Sequence, residues 1–295
     1  MPLISFFHEP RERGRTYGLI RIAFGITSLL WLLSLHPLLS FFYGADGLCP
    51  LSSGDSLPFS LFQLWDSPVA VTVVWWCAVF NALLVTTGLG VRGAVIFQYL
   101  FLSTFFLTPC RPDNYGDQVF VSLSFLMIFF PSRDPLSLDA KIFGKREEFS
   151  PWLRRVMMIT LSTLYFVPVL ARLGGDHWWE GTAAWFVLAN PADSRVWTWL
   201  AKDPEALPRW GSYLITYLWL DYEALFPFLI WVKKLRNPLV IVGLVFHLAL
   251  GLVLDLGLVP LQMAVLFLAC LDDDASKGLT GFFSSKQTGE CFTQQ

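Results

Sequence analysis

Three ionisable side chains lie within or at the end of long apolar segments, where a charge is costly and usually serves a function. His247 lies about midway along one segment, Glu223 lies in the middle of another, and Arg172 lies near the end of a third. Histidine can act as a general acid or base, a carboxylate can assist it, and a guanidinium, which keeps its proton, can bind an anion. We therefore predict a catalytic site of His247, Glu223 and Arg172, with a structural hydrogen bond or salt bridge as the alternative for each.

Four more polar residues could line the same cavity. Asp255 follows His247 by eight residues, which places both on one face of a helix and makes Asp255, like Glu223, a candidate partner for Arg172. Asp46 lies in a turn after the first apolar segment. Asp117 opens a later segment, just after Asn114, and could instead simply cap that helix.

The elements that must position these residues are predicted to be membrane helices. The chain is 55% hydrophobic, 16% aromatic and only 15% charged, a composition typical of multi-pass membrane proteins. Continuous apolar runs of this length indicate helices and not barrel strands. We predict an all-α bundle of about eight transmembrane helices, with seven as the alternative. The predicted spans are Gly18–Leu39, Val69–Leu89, Gly93–Leu107, Asp117–Pro131, Leu153–Leu173, Tyr213–Val232, Leu239–Leu256 and Gly257–Leu271.

The distribution of basic residues predicts the orientation. Cytosolic loops of membrane proteins are enriched in Lys and Arg. With both termini in the cytosol, 16 of the 21 basic residues lie in cytosolic segments. The expected location is the inner membrane, with a multi-pass chain whose polar candidate site opens on the non-cytosolic side. The lipid bilayer is therefore an expected partner.

The longest predicted outer segment, Gly174 to Ser212, is rich in tryptophan. Because indole rings favour the headgroup layer, we expect one or two interfacial helices there. We predict one transmembrane domain, residues 1–271, followed by a polar cytosolic tail, residues 272–295. The tryptophans are Trp178, Trp179, Trp185, Trp197, Trp199 and Trp210.

The cysteines, a glycine-rich motif and the net charge do not indicate a metal, dinucleotide or nucleic-acid site. Cysteine spacing does not match a metal site, and we predict none; Cys49 and Cys110 fall in predicted outer loops, so a disulfide between them stays open. The glycines at 88, 90 and 93 spell G-x-G-x-x-G, but no strand precedes them, so they do not indicate a dinucleotide site. A net charge of −2 and dispersed basic residues argue against a nucleic-acid partner.

Several stretches, in this order and spacing, resemble the HTTM (horizontally transferred transmembrane) family, bacterial relatives of vitamin K-dependent gamma-carboxylase. They are R-I-A-F-G-I-T-S-L-L-W (Arg21–Trp31), Y-G-A-D-G (Tyr43–Gly47), D-N-Y-G-D-Q (Asp113–Gln118), P-S-R-D-P-L-S-L-D (Pro131–Asp139), Y-F-V-P-V-L-A-R-L-G-G-D-H-W-W-E-G-T-A (Tyr165–Ala183) and H-L-A-L-G…L-Q-M (His247–Met263).

The resemblance implies a membrane enzyme lineage whose chemistry faces the lumen, with a reduced quinone as the implied cofactor. His247, Trp178 and Gly181 match family positions. Arg172 stands where the animal carboxylase has the lysine regarded as the base that starts the reaction, and arginine cannot act as that base. The chain also lacks the large lumenal region of the animal enzyme.

Two functions remain open at this point. One is a membrane enzyme acting on a quinol, a lipid or a peptide glutamate, with a secreted peptide as its possible partner. The other is a non-catalytic membrane protein that assists maturation, export or immunity of a secreted peptide. A small-molecule transporter is a third hypothesis, which the absence of paired broken helices argues against.

Overall fold

The computed structural model describes residues 6–7, 14–43, 47–48, 61–63, 68–106, 115–145 and 148–271. Its contacts divide the chain into two compact units. The first contains the described residues up to Arg155 together with Leu271, and the second contains Val156–Cys270. Both are helical. An antiparallel β-bridge joins Ser194 to Leu254.

The described part of the first unit consists of apolar helices of different lengths. They are α1 (Arg15–Leu35), α2 (Leu39–Tyr43), α3 (Pro68–Thr87), α4 (Val91–Phe106), α5 (Tyr115–Met127), α6 (Leu138–Phe143) and the start of α7 (Trp152–Arg172), with 3₁₀ turns at His36–Leu38 and Leu61–Gln63. Helix α1 packs on α3, α3 on α4, and α4 on α5. At Gly25 a Cβ atom would lie 2.8 Å from the backbone nitrogen of Thr86. Only a glycine therefore lets α1 and α3 approach this closely.

A buried ion pair lies at the centre of this unit. Arg21 Nε donates to Asp134 Oδ2 at 2.8 Å, and neither side chain is exposed. The guanidinium also donates to the carbonyl oxygens of Val85 and Thr86, at 2.8 and 2.6 Å. These carbonyls belong to the last turn of α3, where no helical N–H follows to satisfy them. Arg21 therefore links α1, the end of α3 and the loop that carries Asp134.

The first turn of α6, which follows this loop, holds the start of α4. Asp139 accepts hydrogen bonds from the backbone nitrogens of Gly90 and Val91 at 2.8 and 3.0 Å. A carboxylate there satisfies free N–H groups and the positive end of the helix dipole. Gly88 and Gly90 have φ angles of 76° and 60°. These glycines therefore form the tight turn between α3 and α4, in agreement with the rejection of a dinucleotide motif.

The second unit contains the rest of α7 and six further helices. They are α8 (Asp176–Trp179), α9 (Ala183–Ala189), α10 (Trp197–Lys202), α11 (Arg209–Leu229), α12 (Lys233–Val253) and α13 (Val259–Leu268), with a 3₁₀ turn at Pro204–Ala206. Helix α12 packs on α13, and α11 packs on α9 and α12. A Cβ atom at Gly243 would collide with the rings of Phe267 and Tyr222. This glycine therefore permits close packing within the unit.

The prediction of a helical membrane bundle is confirmed. Each of the eight predicted apolar segments contains a helix. Among the described residues four helical segments are long and apolar enough to cross a bilayer, and three shorter apolar helices accompany them. The four are Arg15–Tyr43, Val69–Thr87, Trp152–Arg172 and Lys233–Val253. Helix α11 is 21 residues long but carries Asp221 and Glu223 and is not among them. A count of eight crossings therefore remains a prediction.

Candidate functional site

The charged centre of the second unit is an ion pair between Arg172, the last residue of α7, and Glu223, in the middle of α11. The arginine side chain keeps 22% of its surface exposed and the glutamate 9%. Of the two candidate partners, Arg172 thus takes Glu223. The indole Nε1 of Trp219, one turn before Glu223, donates to its other carboxylate oxygen at 2.7 Å. The carboxylate is therefore held on both sides.

Two indole rings cover the guanidinium. Its central carbon lies 4.8 Å from a ring centroid of Trp178 and 5.4 Å from that of Trp219. The two rings meet edge to face. An aromatic face attracts a cation and removes water from it without cancelling its charge. Arg172 is thus a partly exposed cation in an apolar setting, which suits the binding of an anionic group.

The backbone beside Trp178 is fixed by Gly181. This residue has a φ of 71°, and its carbonyl accepts hydrogen bonds from the hydroxyls of Ser212 and Thr216 at 3.0 and 3.1 Å. Any side chain here would also meet the ring of Tyr213. Gly181 therefore has a positioning role, because it lets the backbone that follows Trp178 lie against α11.

His247 lies in a second cluster, made of tyrosines and phenylalanines. Its Nε2 lies 2.7 Å from the hydroxyl oxygen of Tyr165 on α7. Tyr165 also hydrogen-bonds Tyr222, whose hydroxyl donates to the carbonyl oxygen of Leu239 at 3.1 Å. Because that carbonyl only accepts, the proton order runs from Nε2–H of His247 through Tyr165 and Tyr222 to Leu239. This order leaves Nδ1 of His247 unprotonated.

Nδ1 of His247 is buried and has no hydrogen-bond partner among the described residues. A buried acceptor without a partner costs free energy, so such an atom in a native structure needs an explanation. The ring is packed against Phe246 and Phe267. A group that can accept one proton is therefore retained inside an aromatic cluster.

The Arg172 cluster and the His247 cluster both include residues of α7 and α11, but they are separate clusters. Tyr165 and Arg172 are seven residues apart on α7, which places them on one face about 10 Å apart along the axis. Phe246 connects the clusters, since its ring contacts Trp219 as well as Tyr222 and His247. The hydrogen bond of His247 thus goes to a tyrosine and not to Glu223.

The prediction that Asp255 shares a helix face with His247 is wrong. Helix α12 ends at Val253, and Leu254 is extended. The carbonyl of Val253 accepts from the backbone nitrogen of Arg195, and the nitrogen of Asp255 donates to Asp193. The Asp255 carboxylate pairs with Arg195 at 3.0 Å on the surface, where both side chains are more than half exposed. Backbone pairing with residues 193–195 thus ends the helix before Asp255.

Of the remaining predicted residues, only Asp117 is described by the structure. Asp117 belongs to the first unit, where it is buried in the first turn of α5 and accepts from Nε1 of Trp31 at 3.3 Å. Asp46 and Asn114 lie outside the described residues, as do Cys49 and Cys110. Among the residues that the structure describes, His, Cys, Asp and Glu form no group that could hold a metal ion.

A family model for the HTTM domain matches residues 13–274. The chain belongs to the HTTM family. The predicted resemblance is thereby confirmed, and the HTTM domain covers helices of both units. No curated protein and no solved structure matches this HTTM chain.

Three site residues were not predicted from the sequence: Tyr165, Trp219 and Tyr222. The buried Asp134 of the first unit was not predicted either. Tyr165 opens the most telling HTTM stretch and precedes Arg172 by seven residues, a spacing that already indicates one helix face. Trp219 precedes Glu223 by four residues on α11, so the same periodicity could have found it. Asp134 lies in another stretch that resembles the HTTM family. The signal that could have found it is Arg21, because an arginine inside an apolar helix needs a counter-ion.

Proposed function

We propose that this HTTM protein is a membrane enzyme whose second unit binds an anionic or hydroxyl-bearing substrate from the non-cytosolic side. The proposed substrates are a quinol, a lipid or a glutamate of a secreted peptide. The observation that carries the proposal is the presence, on one face of α7, of a partly exposed cation and a tyrosine bonded to a buried histidine. Structural sites seldom keep both a cation and an unpaired proton acceptor in an apolar setting.

Arg172 would bind the anionic group of the substrate. Glu223 sets the direction of the guanidinium, and the rings of Trp178 and Trp219 exclude water from it. Because arginine keeps its proton, Arg172 contributes charge and not base catalysis. The negative charge that develops on a substrate as it loses a proton would be stabilised there.

His247 would take the proton. Nδ1 carries the free lone pair, while Nε2–H is held by Tyr165. The protonated ring would be stabilised by the hydrogen bond to the Tyr165 oxygen, which in turn is held by Tyr222. This is the arrangement of a general base with an orienting partner.

A reduced quinone fits these residues in one respect: its hydroxyl could donate to the buried Nδ1 of His247, which has no other partner among the described residues. Phe246 and Trp219, whose rings are in contact, would provide an apolar surface for it. When bound, the quinol would supply the reducing equivalents. Arg172, His247 and Tyr165 would only bind, orient and move a proton.

The test compares purified wild-type protein with His247→Ala and Tyr165→Phe in quinol oxidation and in peptide carboxylation. We expect His247→Ala to abolish turnover, and Tyr165→Phe, which removes one hydroxyl and keeps the ring, to lower it about 10- to 100-fold by releasing the histidine ring. His36→Ala, which removes an exposed histidine of the first unit, is the matched control. Equal activity of His247→Ala and wild type would end the proposal.

A non-catalytic role is the second candidate, and one observation favours it. Arg172 has its counter-ion in Glu223, and Nε2 of His247 has its partner in Tyr165. Both can therefore serve to fix helix packing in a protein that assists a secreted peptide. Co-purification of a stoichiometric protein partner, with no conversion of quinol or peptide, would support this role.

A further inference from the structure

The second unit contains a cavity of about 1030 Å³ between its tryptophan-rich segment and the first turn of α11. It is separate from the Arg172 and His247 clusters in that none of the residues of either cluster lines it. A volume of this size lies at the upper end of the range for small-molecule sites. Its walls include three charged and three aromatic side chains: Glu180, Glu205, Arg209, Trp185, Phe186 and Tyr213.

The charges of the cavity select for a ligand that bears both signs. Two carboxylates, Glu180 and Glu205, and one guanidinium, Arg209, line the cavity. A purely anionic ligand would be repelled by the two carboxylates, and a purely cationic one by Arg209. A phosphate is the preferred partner of a guanidinium, and the first turn of a helix adds a favourable dipole. An ammonium group is attracted both by carboxylates and by aromatic faces.

The surroundings of the cavity are those of the headgroup layer of a bilayer. Trp179, Trp199 and Trp210 are exposed in the same stretch of chain, and exposed indoles favour that layer. Further along α11, Leu214 and Leu218 are exposed and continue the apolar surface. A molecule with its polar end in the cavity could lay its apolar part along these residues.

We infer that the cavity binds the headgroup of a zwitterionic phospholipid. Arg209 holds the phosphate, and Glu180 and Glu205, with the neighbouring aromatic rings, hold the ammonium group. The site is independent of the catalytic proposal, because it predicts which lipid is retained and not what is converted.

Native mass spectrometry of the full chain in nanodiscs tests this inference. The nanodiscs contain equal amounts of phosphatidylethanolamine, phosphatidylcholine and the anionic phosphatidylglycerol, and the retained lipids are counted. We expect the wild-type protein to retain the two zwitterionic lipids in preference to phosphatidylglycerol. The double variant Glu180→Gln/Glu205→Gln should lower that preference about tenfold, the effect of losing roughly 1.4 kcal/mol of charge pairing. Arg209→Gln should weaken the retention of all three.

Two control variants remove charges that do not line the cavity. Asp221→Asn alters an exposed carboxylate of α11, and Lys202→Gln alters an exposed cation of α10. Neither should change lipid retention. Each protein is used only after its thermal unfolding matches that of wild type, and if the double variant fails to fold, the single variants give the answer. Preferential retention of phosphatidylglycerol by wild type, or equal lipid profiles for wild type and all cavity variants, would overturn the inference.

Discussion

The two units each contain an arginine-carboxylate pair, and the pairs differ in exposure and in partners. Arg21 and Asp134 in the first unit are fully buried, and two backbone carbonyls accept both hydrogens of the guanidinium nitrogen Nη1. In the second unit the Arg172 side chain is partly exposed, while its partner Glu223 is buried, and the guanidinium lies beside indole rings. A fully buried arginine that bonds to a carboxylate and to backbone carbonyls leaves little for a ligand to bind. The comparison therefore assigns a structural role to the first pair and leaves a ligand-binding role to the second.

The largest effect is expected from Asp134→Ala. It leaves the Arg21 charge buried without its counter-ion, which costs about 3–5 kcal/mol. Thermal unfolding of the protein in detergent measures it. The control is Asp139→Ala. It removes the hydrogen bonds to the backbone nitrogens of Gly90 and Val91 but no buried ion pair, and it should lower the free energy of unfolding by about 1–2 kcal/mol. If both variants lower the free energy of unfolding equally, the buried Arg21–Asp134 pair contributes no more to stability than the Asp139 hydrogen bonds do.

In the second unit, substitutions at the Arg172 ion pair should lower activity more than they lower the free energy of unfolding. Arg172→Gln is expected to remove substrate binding while lowering the free energy of unfolding by only about 1–3 kcal/mol, since the site reaches water and Glu223 can take up a proton. Turnover and thermal unfolding are measured together. Arg172→Lys keeps the charge and should retain more activity than Arg172→Gln. If Arg172→Gln instead destabilises the protein as much as Asp134→Ala, the pair is structural and the comparison fails.

A smaller effect is expected from Trp178→Leu. The substitution removes one aromatic face from the Arg172 guanidinium, an interaction of about 0.5–2 kcal/mol. We expect a higher KM with a largely unchanged kcat, because the variant loosens the cation and leaves His247 in place. Trp199→Leu, at an exposed position of α10, is the matched control. A fall in kcat alone would contradict the assigned role.

The smallest effect is expected from Asp255→Asn. Its partner is Arg195, and exposed ion pairs of this kind contribute about 0–1 kcal/mol. Unfolding temperature and turnover should both stay within error of wild type, in low as well as high salt. A marked loss of turnover would restore Asp255 to the site and would show that the surface ion pair is not its main role.

The contacts within each unit show which features the sequence could predict and which it could not. The continuous apolar runs placed His247, Glu223 and Arg172 on separate helices, and each of the eight predicted runs contains a helix in the structure. The partner of Arg172 remained open between Glu223 and Asp255, because residue spacing does not report how far apart two helices pack. The end of α12 was also missed, since it depends on backbone hydrogen bonds to Asp193 and Arg195, about sixty residues away.

The amino-acid sequence by itself determined the membrane setting, the helical class and the HTTM family, because these follow from apolar runs and from local residue order. Only the tertiary structure decided which charges meet. It placed Asp134 on Arg21 and Glu223 on Arg172, joined Tyr165 to His247, and moved Asp255 to the surface. The physical reason is that a buried charge or polar atom must find a partner in space, and helix packing brings together residues that are far apart along the chain.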